Sequence, residues 1–301
     1  TVCCGALPAI PEPAMYNGIP HPSSGHQGGY GSDLKSVSLV SVADDHNPRC
    51  RNAMEDAHVF IDGFAETEGS AGTPSAFFGV YDGHGGRSIV EFVEKYFHVN
   101  LEKELVDTKA STDEEVENAI KTAFLLTDIQ SSKANLQVSG STAATVLLRC
   151  DPATGKKRVH AANCGDARAV LSRKDGNAFR LSYDHKASDE PEKARIEGAG
   201  GFVLRGRVLG ILAVARSFGD HSLKQFVVPT PFIQTVELVP DEDEYLILAC
   251  DGVWDVMEDQ EVVDFVRAEV AKSAGDAASF DNIARALVDE ALKRGGTDNI
   301  T

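Results

Sequence analysis

The order in which hydrophobic periods change along the chain constrains the fold more than any other feature. The run Ser75-Ala-Phe-Phe-Gly-Val-Tyr81 is a short apolar stretch of strand length, and strand patterns at 37–42 and 57–61 precede it. Ile89, Val93, Phe97, Leu101 and Leu105 then recur at every fourth position, which is one buried stripe of a helix. A second helix is predicted from Ser111, where Ser111 and Glu114 fit a capping box; Val116, Ile120, Ala123 and Thr127 continue its face. Strands are predicted at 141–149, 157–163 and 166–172. A short helix follows over 189–198, with Asp189 near its cap, Pro191 in its first turn and Gly198 as its stop. Strands at 232–238 and 244–250 and helices at 258–273 and 280–294, the last ended by Gly295, complete the series. Strand and helix do not alternate regularly, which argues against a doubly wound parallel sheet. A layered α+β domain with antiparallel sheets fits the order.

Composition sets the outer bounds. The 301 residues carry 29 basic and 46 acidic side chains, a formal charge of −17. Hydrophobic residues at 42% and charged residues at 25% exclude a disordered chain, a collagen and a coiled coil. The acidity argues against nucleic acid or an anionic membrane as the main partner, because both reward Lys and Arg. The longest apolar runs, 143–148 and 208–215, fall far short of the roughly 18–20 residues of a membrane span. No secretory leader pattern is present. The cysteines Cys3, Cys4, Cys50, Cys150, Cys164 and Cys250 form no CxxC pair, so reduced thiols in an intracellular compartment, cytoplasmic or nuclear, are expected. Cys150 and Cys250 end apolar runs and are expected to be buried. Residues 1–32, rich in Pro, Gly and Ser, read as a tail or arm before a domain over 33–301. The chain opens on Thr1 and so reads as a trimmed form, in which Cys3 and Cys4 are candidates for acylation.

Most carboxylates lie where a solvated face explains them, but a few do not. Asp82 directly follows the run Phe77-Phe78-Gly79-Val80-Tyr81 and precedes Gly83; Asp251 directly follows Tyr245-Leu246-Ile247-Leu248-Ala249-Cys250 and precedes Gly252. Asp166 follows a predicted strand and Gly165, and Glu55 and Asp56 stand just before another. A carboxylate at the end of a buried strand loses hydration and needs a cation or several donors in return. A tight turn explains any one Asp-Gly; it explains the set far less well. Oxygen ligands without His or Cys favour Mg²⁺ or Mn²⁺ over Zn²⁺. Rival chemistries lack their residues: there is no P-loop, no HExxH and no GxSxG. No cysteine has an Arg six residues on, and Asp241-Glu-Asp243 lacks the Gly of an EF-hand.

These residues carry a close resemblance. Arg51-Asn-Ala-Met54-Glu55-Asp56 resembles the R-x-x-M-E-D opening of the metal-dependent protein Ser/Thr phosphatases, the type 2C or PPM family. Asp82-Gly83-His84-Gly85-Gly86, Ser139-Gly140-Ser141-Thr142-Ala143 and Asn163-Cys164-Gly165-Asp166-Ala167-Arg168 are similar to its next blocks. Asp184-His185-Lys186, Arg216 to Gly219-Asp220, Asp251-Gly252-Val253-Trp254-Asp255 and Thr297-Asp298-Asn299 continue them in order. The likeness runs from about residue 36 to the end. It implies a four-layer αββα sandwich, two antiparallel sheets flanked by helix pairs, with a flap at about 187–225.

The resemblance also implies a site holding two Mn²⁺ or Mg²⁺ ions. Asp82 would bridge them, the Gly83 carbonyl would bind one, and Asp251 and Asp298 the other. Glu55 and Asp56 would hold waters in an outer shell, and Asp166 would serve a third ion. Ions about 3.5–4 Å apart would activate a shared water for in-line attack on phosphorus, with no phospho-enzyme. Arg51 would clamp the phosphate, and His84 would protonate the departing alkoxide. Phosphoserine and phosphothreonine in proteins would be the substrates. Departures are Ala187, where the family has Pro, a flap without Trp, and an end at Ile300-Thr301, where the family continues into a last strand. The rival readings are a catalytically silent phosphoprotein-binding module on the same fold and a two-metal hydrolase of small phosphate esters.

Overall fold

The computed structural model describes residues 28–30, 34–65, 75–151, 154–273, 280 and 282–301. Five antiparallel strands form the larger sheet, in the spatial order Phe232–Glu237, Lys157–Cys164, Ala143–Cys150, Ser75–Tyr81, Ala57–Asp62. The smaller sheet runs Ala178–Arg180, Arg168–Arg173, Asp243–Ala249. Side-chain alternation explains why both sheets are covered on two faces. Phe77 and Tyr81 belong to the core under the helices Ser88–Asp107 and Asp113–Lys133, whereas Ala76 and Phe78 belong to the core shared with the other sheet. Leu246 and Leu248 face that shared core from the smaller sheet, and Ile247 and Ala249 face the helices Asp259–Lys272 and Ile283–Lys293. The layers are therefore helix pair, sheet, sheet, helix pair, the expected α+β sandwich. No described helix is long and apolar enough to cross a membrane.

Phe97 anchors the first helix pair to its sheet. Its ring centroid lies 4.7 Å from that of Phe124, 5.9 Å from Phe77 and 5.8 Å from Phe218, the edge-on and tilted arrangements that aromatic quadrupoles favour. The expected stripe of Ile89, Val93, Phe97, Leu101 and Leu105 is buried in this layer. Trp254 is buried too, and its indole N–H donates to the Ala249 carbonyl at 2.8 Å.

Several boundaries move. The strand expected over 37–42 is confined to Val40–Val42, and it pairs with Gly28–Tyr30, so the segment read as a tail or arm contributes a strand; Cys3 and Cys4 lie outside the described residues. The run 141–149 breaks at Thr142, whose N–H donates to the Asp82 carbonyl at 2.8 Å. This frees Gly140–Ser141 to pair with Gly83–His84 and Phe218–Gly219 in a separate small ribbon. The helix predicted over 189–198 is Glu190–Gly198, but Gly198 is its last residue, and the left-handed stop is Gly200 at φ 88°. Cys250 is buried as expected, whereas Cys150, at the end of its strand, is only half-buried. The segment 187–225 has a small core of its own, in which Ala187, Ile196, Val208 and Ala215 meet Val227.

The capping box is built one residue later than the Ser111–Glu114 pattern predicts. Thr112 has the extended backbone of an N-cap and its hydroxyl accepts from the Glu115 N–H at 3.3 Å. The Glu115 carboxylate in return accepts from the N–H groups of Thr112 and Ser111, both at 2.9 Å. Thr112→Ala is therefore expected to cost about 1 kcal/mol, read from the urea midpoint, and Ser111→Ala clearly less.

Candidate metal centre

Three strands deliver carboxylates to one end of the sandwich. Asp82 follows Ser75–Tyr81 and Asp166 follows Lys157–Cys164, both of the larger sheet; Asp251 follows Asp243–Ala249 of the smaller one. One oxygen from each lies within 4.8 Å of the others. The glycines after two of them are required by close approach. A Cβ on Gly83 would stand 2.3 Å from the Glu55 carbonyl, and one on Gly252 would stand 2.1 Å from the Asn299 carbonyl. The absent side chains let the loop carrying Glu55 and Asp56, and the segment carrying Asp298, close over the cluster.

Like charges this close cannot all ionise in a site that excludes water. Burial, and then the charges of Asp166 and Asp298, push the Asp251 carboxyl up to about 8 from its ordinary 3.8. Burial and then Asp251 hold Asp82 well above the ordinary range. Asp56 is raised to about 7, chiefly by burial. Asp166 rises to about 6; burial drives it, and the Lys186 ammonium 3.8 Å away opposes it. Asp56 Oδ2 and Asp251 Oδ1 are buried without a hydrogen-bond partner. Orphaned acceptors and crowded carboxylates are costly in a cation-free protein and suit hard divalent ions, so the residues present fit the expected metals.

The other predicted residues surround this trio. Asp298 stands outside it, ion-paired to Arg51, whose Nε also donates to the Thr297 carbonyl at 3.2 Å. The Glu55 carboxylate accepts from the Gly86 N–H at 2.7 Å. Gly83 and His84 form a two-residue strand, and His84 Nε2 lies 2.8 Å from Asp220 Oδ2.

Four residues given no role from sequence shape the site. The Asn299 side chain accepts from the Glu55 N–H at 2.8 Å and donates to the His46 and Ala53 carbonyls at 2.8 and 3.1 Å, stapling the Arg51–Asp56 loop. Arg87 donates to the Met54 carbonyl of the same loop. Lys186 reaches Asp255 at 3.1 Å as well as Asp166. Asp220 holds His84. Asn299 and Asp220 stand inside the motifs quoted above, so the signal was present without the partner.

The chain is similar to known proteins in sequence and fold. The family model described as Protein phosphatase 2C matches residues 40–300. The chain is 37% identical over 273 residues to "Protein phosphatase 2C homolog 1" of Saccharomyces cerevisiae, covering 87% of this chain and 91% of that one. It is 42% identical over 262 residues to "Probable protein phosphatase 2C 71" of Arabidopsis thaliana, covering 83% of this chain and 52% of that one. Among solved structures, one titled as a phosphatase from a pathogenic strain of Toxoplasma gondii superposes with a TM-score of 0.71 at 26% identity, covering 86% of this chain and 89% of that one.

Proposed function

This chain belongs to the protein phosphatase 2C family and is a protein serine/threonine phosphatase, and we propose that the end of the sandwich bearing Asp82, Asp166 and Asp251 is its catalytic metal centre. One observation carries the proposal: three strand-end carboxylates with oxygens within 4.8 Å of one another, in a site where they cannot all stay charged unaided. Asp82, the Gly83 carbonyl, Asp251 and Asp298 would hold two ions, Mn²⁺ or Mg²⁺, with Glu55 and Asp56 behind them and Asp166 available to a third. When bound, such ions supply Lewis acidity and a nucleophile at neutral pH.

The chain's own residues do the rest. Asp298 Oδ2 pairs with Arg51, and a metal ion drawing on the same carboxylate would weaken that ion pair. With Asp298 engaged as a ligand, the Arg51 guanidinium is left to take the substrate phosphate through two parallel hydrogen bonds. His84, two residues beyond Asp82, donates a proton to the departing Ser or Thr oxygen. Release of inorganic phosphate from a phosphothreonine peptide is the test. Turnover is expected with added Mn²⁺ and is expected to vanish in EDTA. Turnover that survives EDTA would refute the metal centre.

A further inference from the structure

Resting on the reading of His84 as the acid for the leaving group, we propose that Asp220 is its positioning residue, holding Nε2 so that the other ring nitrogen, Nδ1, is the one that delivers the proton. The contact is 2.8 Å, and the Asp220 side chain is 8% exposed. Its Oδ2 also accepts from the Ser217 hydroxyl at 2.5 Å, a second hold on the same oxygen.

The backbone is shaped around this one contact. Asp220 sits in the left-handed region at φ 44°, ψ 39°, uncommon for a residue with a side chain, and follows Gly219 at φ 70°. Buried Asp128 holds that turn, accepting from the Gly219 N–H and the Lys224 ammonium, each at 2.9 Å. The Asp220 N–H donates to the Ser139 carbonyl at 3.0 Å. The strands Gly83–His84, Gly140–Ser141 and Phe218–Gly219 lie side by side, which brings His84 and Asp220 across the middle strand. Residue 140 must be glycine for them to meet, since a Cβ there would stand 2.1 Å from Asp220 Oδ2 and 2.3 Å from His84 Nε2. Asp220 precedes the short helix His221–Leu223, yet its side chain makes no cap hydrogen bond, so helix capping does not account for the carboxylate. Strain held in place by several partners at a functional site is the pattern of a pre-organised group.

The proton and electron count is simple. As the P–O bond to the substrate breaks, its electron pair stays on the Ser or Thr oxygen, and the proton on His84 Nδ1 moves to that oxygen to give the alcohol. The imidazole that remains still donates its Nε2–H to Asp220. The carboxylate fixes ring orientation and tautomer, as in other His–Asp pairs.

The test compares two substrates that differ in their need for a proton. A phosphothreonine peptide must release an alkoxide, whereas p-nitrophenyl phosphate releases a stable phenolate without help. Asp220→Asn suits the left-handed backbone, since Asn is tolerated there. It is expected to lower kcat on the phosphopeptide on the order of 10²-fold, with KM nearly unchanged, and to lower kcat on p-nitrophenyl phosphate by no more than about threefold. Mn²⁺ affinity by calorimetry should stay within about twofold, unlike the 10–100-fold loss expected for a residue that orients a ligand. His84→Gln should show the same split, and the double variant should be no worse than His84→Gln alone. Equal losses on both substrates, or additive losses in the double variant, would overturn the Asp220 assignment alone. If His84→Gln showed no split, both the acid role of His84 and this inference would fall.

Discussion

Asp82→Asn is expected to lower kcat/KM on a phosphopeptide by about a thousandfold while making the metal-free protein more stable. The two effects have one cause. Asp82 sits where burial and the charge of Asp251 both disfavour its ionised form, so in the absence of a cation it strains the fold. The amide keeps the shape and removes the charge. Losing a ligand removes Lewis-acid stabilisation worth several kcal/mol, and each 1.36 kcal/mol is a factor of ten in rate. Removing the repulsion should return about 1–2 kcal/mol to the metal-free fold, a rise in melting temperature of roughly 2–8 °C. A residue that served only packing would behave differently, losing stability and activity together. Calorimetric melts in EDTA, run beside phosphopeptide kinetics in Mn²⁺, separate the cases. A lower melting temperature in EDTA would contradict the crowded-carboxylate account.

What could be read from sequence divides by distance along the chain. Asp82 and Asp251 were legible because an apolar strand running into Asp-Gly is a local signal. The run 75–81 was legible as an apolar strand, but not that Phe77 and Phe78 face different cores. Partners remote in sequence were not legible. Asp298 holds Arg51 from 247 residues away, and Asn299 holds Glu55 from 244 away. His84 meets Asp220 across 136 residues, through a glycine that only the folded backbone shows to be necessary. The capping box failed for another reason. Ser111-Thr112-Asp113-Glu114-Glu115 contains two overlapping S/T-x-x-E patterns, and only the extended backbone at Thr112 chooses between them. The strand over 141–149 ignored the carbonyl of Asp82, which takes the Thr142 N–H and splits the run. Pattern thus located the groups that need a partner, and the fold supplied the partner.

The same carboxylates give the pH dependence of stability an unusual sign, and metal should reverse it. Asp251 at about 8, Asp56 at about 7 and Asp166 at about 6 all stand above their ordinary 3.8. Between pH 4 and 8 the folded state therefore binds more protons than the unfolded one, and this contribution to stability is lost as pH rises through the folded values. Two buried histidines oppose it. His160 and His185 are held down to about 4 by burial, so their contribution is complete above 6.5 and is lost as pH falls below that. From 6.5 to 8 the histidines no longer add to the slope, and the cluster shares the window with Glu94 of the first helix, a carboxyl that burial raises to about 7. There the metal-free protein should lose up to about 1.4 kcal/mol per pH unit from a carboxyl like Asp251, with smaller shares from the others as they finish titrating. An ion that binds the ionised carboxylates should remove the cluster's share of this slope and leave that of Glu94. At a thousand times its dissociation constant it adds about 4 kcal/mol, or roughly 8–16 °C, and its effect should grow with pH because protons compete for the same oxygens. Melts from pH 6.5 to 8 in EDTA and in excess Mn²⁺ measure both curves. A metal-free melting temperature that rises with pH across this window, or a Mn²⁺ increment that shrinks, would remove the carboxylate cluster as the metal's seat.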